Sequence, residues 1–354
     1  MMRKFQKLVW AGMILFLFTP LFVKADVDIG FFYDKLAPYG EWVSVTPYGW
    51  VWSPADMSPG WRPYSDGRWV NSDYGLTYLS DYDWAWACYH YGRWFHHHDY
   101  GWLWVPGDVW GPAWVAWRSG NGFIGWAPLP PEIGWSAGFG LDWGNFSFEA
   151  DLDPMFWCFV EDQWFFEPRL FDYILVPALN RRCFERSENR TNYAFVGNRV
   201  HDHGIDVVEL ERTTRKKAPF YSIAEATGEK MGGRIRGHEL LVFQPRITSL
   251  KSGSNPVNVI REKRLESIDG VMQRQQLERE KMIELQKKQW NKLNHEHLNE
   301  MKKVKDPTVH DEMAQRHENE KKTQAEWHIR QMNELMTRQS REISSLNEQK
   351  KKKK

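Results

Sequence analysis

Residues 91–106 read Y-G-R-W-F-H-H-H-D-Y-G-W-L-W-V-P, and residues 39–54 read Y-G-E-W-V-S-V-T-P-Y-G-W-V-W-S-P. The two stretches align without a gap. Each opens on Tyr-Gly-x-Trp, continues to Tyr-Gly-Trp-x-Trp and ends on Pro. Trp50 and Trp52, like Trp102 and Trp104, are two apart, so each pair falls on one face of a strand. The Gly between the halves supplies the positive φ of a tight turn. Pro54 and Pro106 end the second strand, because Pro has no N–H for the ladder. Each stretch is therefore expected to be a β-hairpin.

Two further copies extend the pattern. Residues 66–80 read D-G-R-W-V-N-S-D-Y-G-L-T-Y-L-S, and residues 113–128 read A-W-V-A-W-R-S-G-N-G-F-I-G-W-A-P. The copies start at Trp42, Trp69, Trp94 and Trp114, a recurrence that signals a stacked supersecondary unit. Trp, Tyr and Val suit a pleated, half-buried surface, and no 3.6-residue period survives so many Gly and Pro. An isolated hairpin is marginal in water, so the copies must pack on one another. Eighteen of the 21 Trp lie between Trp42 and Trp164. One reading makes them the core of a unit poor in Leu and Ile. The other leaves some exposed, since Trp is rarely buried completely. The candidate binding platform is then Trp50, Trp52, Tyr74, Tyr78, Trp94, Tyr100, Trp102 and Trp104, with Tyr74 and Tyr100 at hairpin tips.

Other chemistry is sparse. His96 and His98 share a strand face and could ligate a metal with Asp99 or His90, but a polar strand end running into a turn explains the same run, and no second ligand group stands at metal-site spacing. D-L-D-P at 151–154 is too short for a Ca²⁺ loop. Cys158 and Cys183 are the candidate disulfide, Cys88 lying apart in the Trp-rich block; three buried thiols are the alternative. No G-x-S-x-G, H-E-x-x-H, phosphate loop or CxxC occurs, so neither a catalytic motif nor a cofactor is expected.

Residues 1–25 carry Arg3, Lys4 and Lys7 ahead of an apolar run at 8–23 broken by Pro20, the pattern of a cleaved signal peptide leaving Asp26 first. The run is shorter than the ~20 residues a span needs, so no transmembrane segment is expected in the mature chain. With 47 Lys+Arg against 46 Asp+Glu the formal charge is +1, which argues against a nucleic-acid partner. The charge is unevenly spread. Residues 255–354 hold 23 basic and 17 acidic side chains, whereas residues 26–254 are acidic.

The expected organisation is a Trp-rich hairpin domain at 30–134, a second β-rich segment at 135–250, a linker at 251–261, a helical tail at 262–348 and a disordered poly-Lys end at 349–354. In the second segment, residues 156–160, 173–177, 193–200 and 239–245 read as strands. That segment either closes the first domain or makes its own. The tail is rich in Lys, Glu, Gln and Arg, with apolar residues three and four apart and an interruption at Asp306-Pro307. It reads as two helices, near 262–304 and 309–348, in an antiparallel hairpin or coiled coil. Its thin seam, with gaps at His297 and Gln324, pairs with itself, with a second copy or with another protein. The fold class is thus mainly β, followed by a C-terminal α-helical hairpin or coiled coil.

Several motifs in order carry a resemblance: L-A-P-Y-G-E-W-V (36–43), G-W-R-P-Y-S-D-G-R-W-V (60–70), W-A-C-Y-H-Y-G-R-W (86–94), G-W-L-W-V-P-G (101–107), W-G-P-A-W-V-A-W-R (110–118), G-W-A-P-L-P-P (125–131), N-R-T-N-Y (189–193) and G-I-D-V (204–207). Over about residues 30–215 the chain resembles a family of Trp/Tyr-rich exported bacterial proteins catalogued as a domain of unknown function. The resemblance implies a Gram-negative envelope protein, in the periplasm or at the outer surface, and transfers no catalytic residue.

Together these features lead to the expectation of a non-enzymatic scaffold or binding module of the envelope, its partner an envelope glycan or protein, with a basic tail for self-association or attachment. The alternative is glycan or peptidoglycan binding or hydrolysis. Glu132, Asp142, Glu149 and Glu161 are the carboxylates considered for hydrolysis, which needs two facing carboxyls at defined separation.

Overall fold

The computed structural model describes residues 26–352 apart from 59, 137–139, 148–151, 227–232, 250, 252, 262–267 and 305, so the expected signal peptide lies outside the described residues. The chain begins with strand β1 (Asp26–Asp28) and helix α1 (Gly30–Leu36). Four hairpins follow: β2 (Gly40–Val45) with β3 (Gly49–Pro54), β4 (Arg68–Ser72) with β5 (Gly75–Leu79), β6 (Arg93–His97) with β7 (Gly101–Val105), and β8 (Val115–Gly120) with β9 (Phe123–Pro128). A short helix, α2 (Ala85–Cys88), sits between the second and third.

Then come β10 (Gly134–Ser136), β11 (Gly140–Asp142), β12 (Cys158–Glu161), α3 (Pro177–Glu185), β13 (Glu188–Asn189), β14 (Tyr193–Val196) and β15 (Arg199–Asp202). The body ends with α4 (Val207–Thr214), β16 (Phe220–Glu225), β17 (Arg234–Arg236), β18 (Glu239–Val242) and β19 (Arg246–Ser249). Two long helices complete the chain, α5 (Ile268–Met301) and α6 (Pro307–Lys352). The mainly β body followed by a helical hairpin is as the sequence patterns require. Among the described residues no helix is long and apolar enough to cross a membrane.

Turn chemistry sets the hairpins. Gly49 and Gly101 follow three-residue connections at φ 75° and 74°, a left-handed geometry that suits Gly. Asn121 and Gly122 make the two-residue turn of the fourth hairpin, both at positive φ. Aromatic rings face each other across every hairpin: Trp42 opposite Trp52, Trp69 opposite Tyr78, Trp94 opposite Trp104, Trp117 opposite Trp126. The fourth copy therefore starts at Trp117 and not Trp114.

The first and third hairpins join as β2-β3-β7-β6 through Trp52 and Trp104. The fourth is widened to β12-β9-β8-β13, and the second lies within β14-β15-β5-β4-β16-β18-β17. Strands after residue 135 thus complete the sheets of the second and fourth hairpins, and β2-β3-β7-β6 is built from the first and third alone. One core gathers Trp42, Trp52, Trp69, Trp94, Trp104, Trp117 and Trp126 from all three sheets.

Indoles and phenols suit this core because they bring donors into it. Residues 84–90 are all buried around α2, and carbonyls at a helix end lack partners within the helix. Four consecutive carbonyls here each accept from an aromatic side chain. Cys88 receives Trp94 Nε1 at 2.8 Å, Tyr89 receives Tyr64 Oη at 3.0 Å, His90 receives Trp114 Nε1 at 3.0 Å and Tyr91 receives Trp104 Nε1 at 2.7 Å. His90 O also accepts from Gly111 N at 2.9 Å, but a Leu or Phe core would leave the Cys88, Tyr89 and Tyr91 carbonyls buried without these donors.

Four expectations change. Residues 173–177 form no strand: Ile174, Leu175 and Val176 are buried, but the chain runs from a 3₁₀ turn into α3, with Pro177 at its first position. Residues 256–260 are not a free linker. Trp42 N donates to Asn258 O at 2.7 Å, Ile260 N donates to Trp42 O at 2.8 Å, and Ile260 joins a small apolar cluster with Val43, Val51 and Leu103. The lysines of the poly-Lys end up to Lys352 continue α6 in place of disorder. The candidate disulfide between Cys158 and Cys183 is not formed, all three cysteines being free thiols. The cause is strand alternation. Cys158 and Val160 point into the main core, whereas Trp157 and Phe159 point to the other face of β12, where Cys183 of α3 packs.

The tail also does more than pair with itself. Met282, Leu285 and Leu335 enter the apolar cluster of Trp157, Leu179 and Phe184. Lys288 Nζ lies 3.4 Å from Asp172 Oδ2, Lys292 sits 4.4 Å above the Trp164 ring and Gln289 donates to Glu161 Oε1 at 2.6 Å. The division into acidic body and basic tail is therefore partly complementarity between docked surfaces. The α5–α6 seam itself is largely polar, with Gln275, Glu278, Gln289, His297, His317, Gln331 and Gln339 all buried.

Candidate functional site

Even-numbered residues of β2, β3, β6 and β7 share the face turned to the core. At the sheet centre Trp52, Trp94 and Trp104 are closed off from solvent, and Tyr78 of the second hairpin is equally buried. These four cannot serve as a platform. Trp50 and Trp102 continue the same face toward the hairpin tips and emerge half-buried. Because β3 and β7 run antiparallel, the two tips lie at opposite ends of the sheet. Trp50 directs its N–H toward Asn255 Oδ1 at 3.4 Å. Tyr74, on the second hairpin, packs edge-on against Trp110 and His201. The eight candidate residues form no single strip.

What the structure does assemble is a groove at the tip of the third hairpin. Trp102, His96 and Phe156 make its ridge, with centroids 5.4 Å apart for His96–Trp102 and for His96–Phe156, and 5.1 Å for Trp102–Phe156. On one side lies a cavity of about 560 Å³, bordered by Trp61, Tyr100, His98, Asp56 and Arg62 of the body. Its roof is the helical hairpin, which contributes Arg274 and Glu278 from α5 and Arg338 and Glu342 from α6. On the other side of the ridge is a cleft of about 630 Å³ lined by Trp94, Phe95, Pro128, Pro130, Glu132, Trp143 and Phe146.

The roof is preorganised by charge. Arg274 Nη2 donates to Glu342 Oε1 at 2.5 Å, Gln275 donates to Glu342 Oε2 at 2.9 Å, and Arg338 pairs with Glu278. Burial would raise the Glu342 carboxyl, but the hydrogen bonds from Arg274 and Gln275 outweigh it and hold the group below its ordinary value. In the cleft, Tyr48 Oη donates to Glu132 Oε1 at 2.5 Å. Burial first, then that carboxylate, push the Tyr48 phenol up to about 12.

Of the carboxylates considered for hydrolysis, Glu132 alone among the described residues lines either cavity. Asp142 Oδ1 accepts from Gly144 N at 3.1 Å, and Glu161 accepts from Gln163, Trp164 and Gln289. Glu149 lies outside the described residues.

The histidine run is arranged differently from the expected pair. His96 stacks on Phe156, while His98 Nε2 lies 3.1 Å from Asp99 Oδ2 and stacks on His97 at 4.5 Å. The groups brought within ligand reach of one another are His97, His98 and Asp99. His90 is remote from them, buried with Nδ1 2.9 Å from Gly111 O and its ring on Trp110. Burial drives its imidazole down to about 4, so it is neutral.

Sequence reasoning passed over Trp61, Phe156 and the four charged roof residues. Trp61 stood in G-W-R-P-Y, outside any hairpin. The roof residues are separated from the last hairpin by more than 140 positions, and nothing local ties them together.

The fold and groove define a class: an aromatic-cored β-hairpin body roofed by a helical hairpin. Residues 33–133 match the model of a family described as a family of unknown function (DUF6600). That span covers the four hairpins and α2, and stops before β10. Neither a curated protein nor a solved structure gave a significant match to the chain.

Proposed function

We propose that the chain is an exported, non-enzymatic binding module of the cell envelope that holds a neutral glycan in the groove beneath its helical hairpin. The observation that carries this reading is the ridge of half-buried Trp102 and Phe156 with exposed His96 between two cavities, with Trp61 beside it. Flat aromatic faces suit the C–H faces of sugar rings, and a few fixed polar groups among apolar walls are what small-ligand sites use. The charges of the cavity beneath the helical roof balance: Arg62, Arg274 and Arg338 against Asp56, Glu278 and Glu342. Such a lining favours hydroxyl groups, which donate and accept, over an anionic polymer. Export is supported by the signal-like pattern of residues 1–25. In this reading the tail shapes the site, and its Lys-rich end supplies envelope attachment.

The test is co-sedimentation of the full chain with insoluble chitin, an uncharged amino-sugar polymer that the cationic tail does not attract, comparing wild type with Trp61→Ala/Trp102→Ala. Retention of wild type at moderate salt and loss in the variant, with unchanged circular dichroism, is expected. Equal retention of both would refute the groove as the binding site.

A further inference from the structure

Near the loop between α5 and α6 the seam holds a second cluster, unrelated to the groove. Each helix carries the same motif on its inner face: His297-Leu298-Asn299-Glu300 on α5 and His317-Glu318-Asn319-Glu320 on α6. Residues three apart share a helix face, and antiparallel packing sets the two motifs against each other. His297 Nε2 lies 2.6 Å from Glu320 Oε2, and His317 Nε2 lies 3.0 Å from Glu300 Oε2. The imidazoles stack in parallel at 3.8 Å, both buried. Potential ligand atoms of His297, His317 and Glu320 all fall within 4.8 Å of one another.

We infer that this cluster is a binding site for a borderline divalent transition-metal ion of the Zn²⁺ type, bridging the two tail helices. Two imidazoles and a carboxylate are the donor set such ions select. Tetrahedral coordination at Zn–N ≈ 2.0–2.1 Å places ligand atoms about 3.3 Å apart, so closure needs shifts of about 1 Å. A lock on helix register would explain one His–Glu pair. It does not explain two of them crossed, nor the buried His297 Nδ1, which has no hydrogen-bond partner. An ion held by His317 and Glu320 gives a turned His297 ring an acceptor for its nitrogen lone pair. Access is open, because a surface groove lined by Leu293, Glu312, Gln315 and Glu320 leads to the site. Arg316 pairs with Glu300 and lies 3.6 Å from Glu320, so ion entry must displace its guanidinium. The ion would pin the far end of the tail, whose near end roofs the groove.

The test is titration of the chelator-stripped full chain with Zn²⁺ by calorimetry, and with Co²⁺ by visible absorption. One equivalent should bind with tetrahedral Co²⁺ bands. His297→Gln/His317→Gln should lower affinity at least about 100-fold, the most an outer-shell partner costs. His97→Gln/His98→Gln should leave affinity unchanged. If the double Gln variant loses helicity, Glu320→Gln, which keeps a hydrogen bond to His297, should still weaken binding. Equal affinity in wild type and both tail variants, or loss only in the His97/His98 variant, overturns the inference.

Discussion

Trp52 and Trp104 offer a matched pair for measuring what the indole donors contribute. They occupy corresponding positions in the first and third hairpins, face each other across β3 and β7, and are equally closed to solvent. They differ in one respect. Trp104 Nε1 donates to the Tyr91 carbonyl at 2.7 Å, whereas Trp52 Nε1 has no hydrogen-bond partner. Replacement by Phe removes the same atoms from both sites, so the packing losses largely cancel in the difference. What remains is the buried Tyr91 carbonyl left unpaired, which costs ~1–3 kcal/mol. Trp104→Phe should therefore destabilise by about that much more than Trp52→Phe. Trp94→Phe should exceed Trp42→Phe for the same reason, because Trp94 donates to Cys88 O at 2.8 Å and Trp42 Nε1 has no partner. Urea unfolding followed by near-ultraviolet circular dichroism gives both differences. If both pairs agree to within about 0.5 kcal/mol, below the usual worth of one hydrogen bond, the donor argument for an indole core is wrong.

Asp202 is buried and accepts from Trp117 Nε1 at 2.7 Å; burial raises its carboxyl to about 7 despite that bond. The folded state then keeps a proton that the unfolded chain loses near pH 4, so this group's contribution falls as pH rises from about 4 to about 7, by roughly 4 kcal/mol. His90, held down to about 4, acts oppositely, its contribution growing as pH rises from about 4 to about 6.5. Asp202→Asn should leave the His90 slope alone, and its stability relative to wild type should climb by roughly 4 kcal/mol between pH 4 and pH 8; a difference independent of pH in urea melts would contradict this. Leu285→Ala, which removes a tail contact with the Trp157 cluster, should cost ~2–5 kcal/mol and speed proteolysis of α5 and α6, and an unchanged cleavage rate would argue against docking. Gly101→Ala, at φ 74° with open space around it, should cost about 1 kcal/mol in a thermal melt through backbone strain alone.

The hairpins were legible because a strand repeats every two residues and a tight turn demands Gly, so Trp50/Trp52 and Trp102/Trp104 announced themselves locally. Which of those indoles reach solvent was not. All of them lie on one face, and only position along the sheet separates buried Trp104 from half-buried Trp102. Strand direction is a tertiary fact too, and it placed Trp50 and Trp102 at opposite ends. Helix α2 is four residues long, too short for any period to show. The sequence alone does not place the start of the fourth copy, because Trp114 and Trp117 both precede the turn, and only the pairing of Trp117 with Trp126 decides between them. In the tail, His297 stood out as a break in the apolar seam. Its meaning depended on His317 and Glu320, which only the antiparallel pairing brings opposite.

Hydroxyl-radical footprinting of the full chain, with and without soluble chito-oligosaccharides as the neutral glycan, tests the central claim most directly. Oxidation is expected at Trp61 and Trp102, which border the groove, and not at Trp42, Trp52, Trp69, Trp94 or Trp104. The glycan should protect Trp61 and Trp102 while leaving Trp50 unaffected. Oxidation spread across the core indoles, or no protection at the groove pair, would contradict the account.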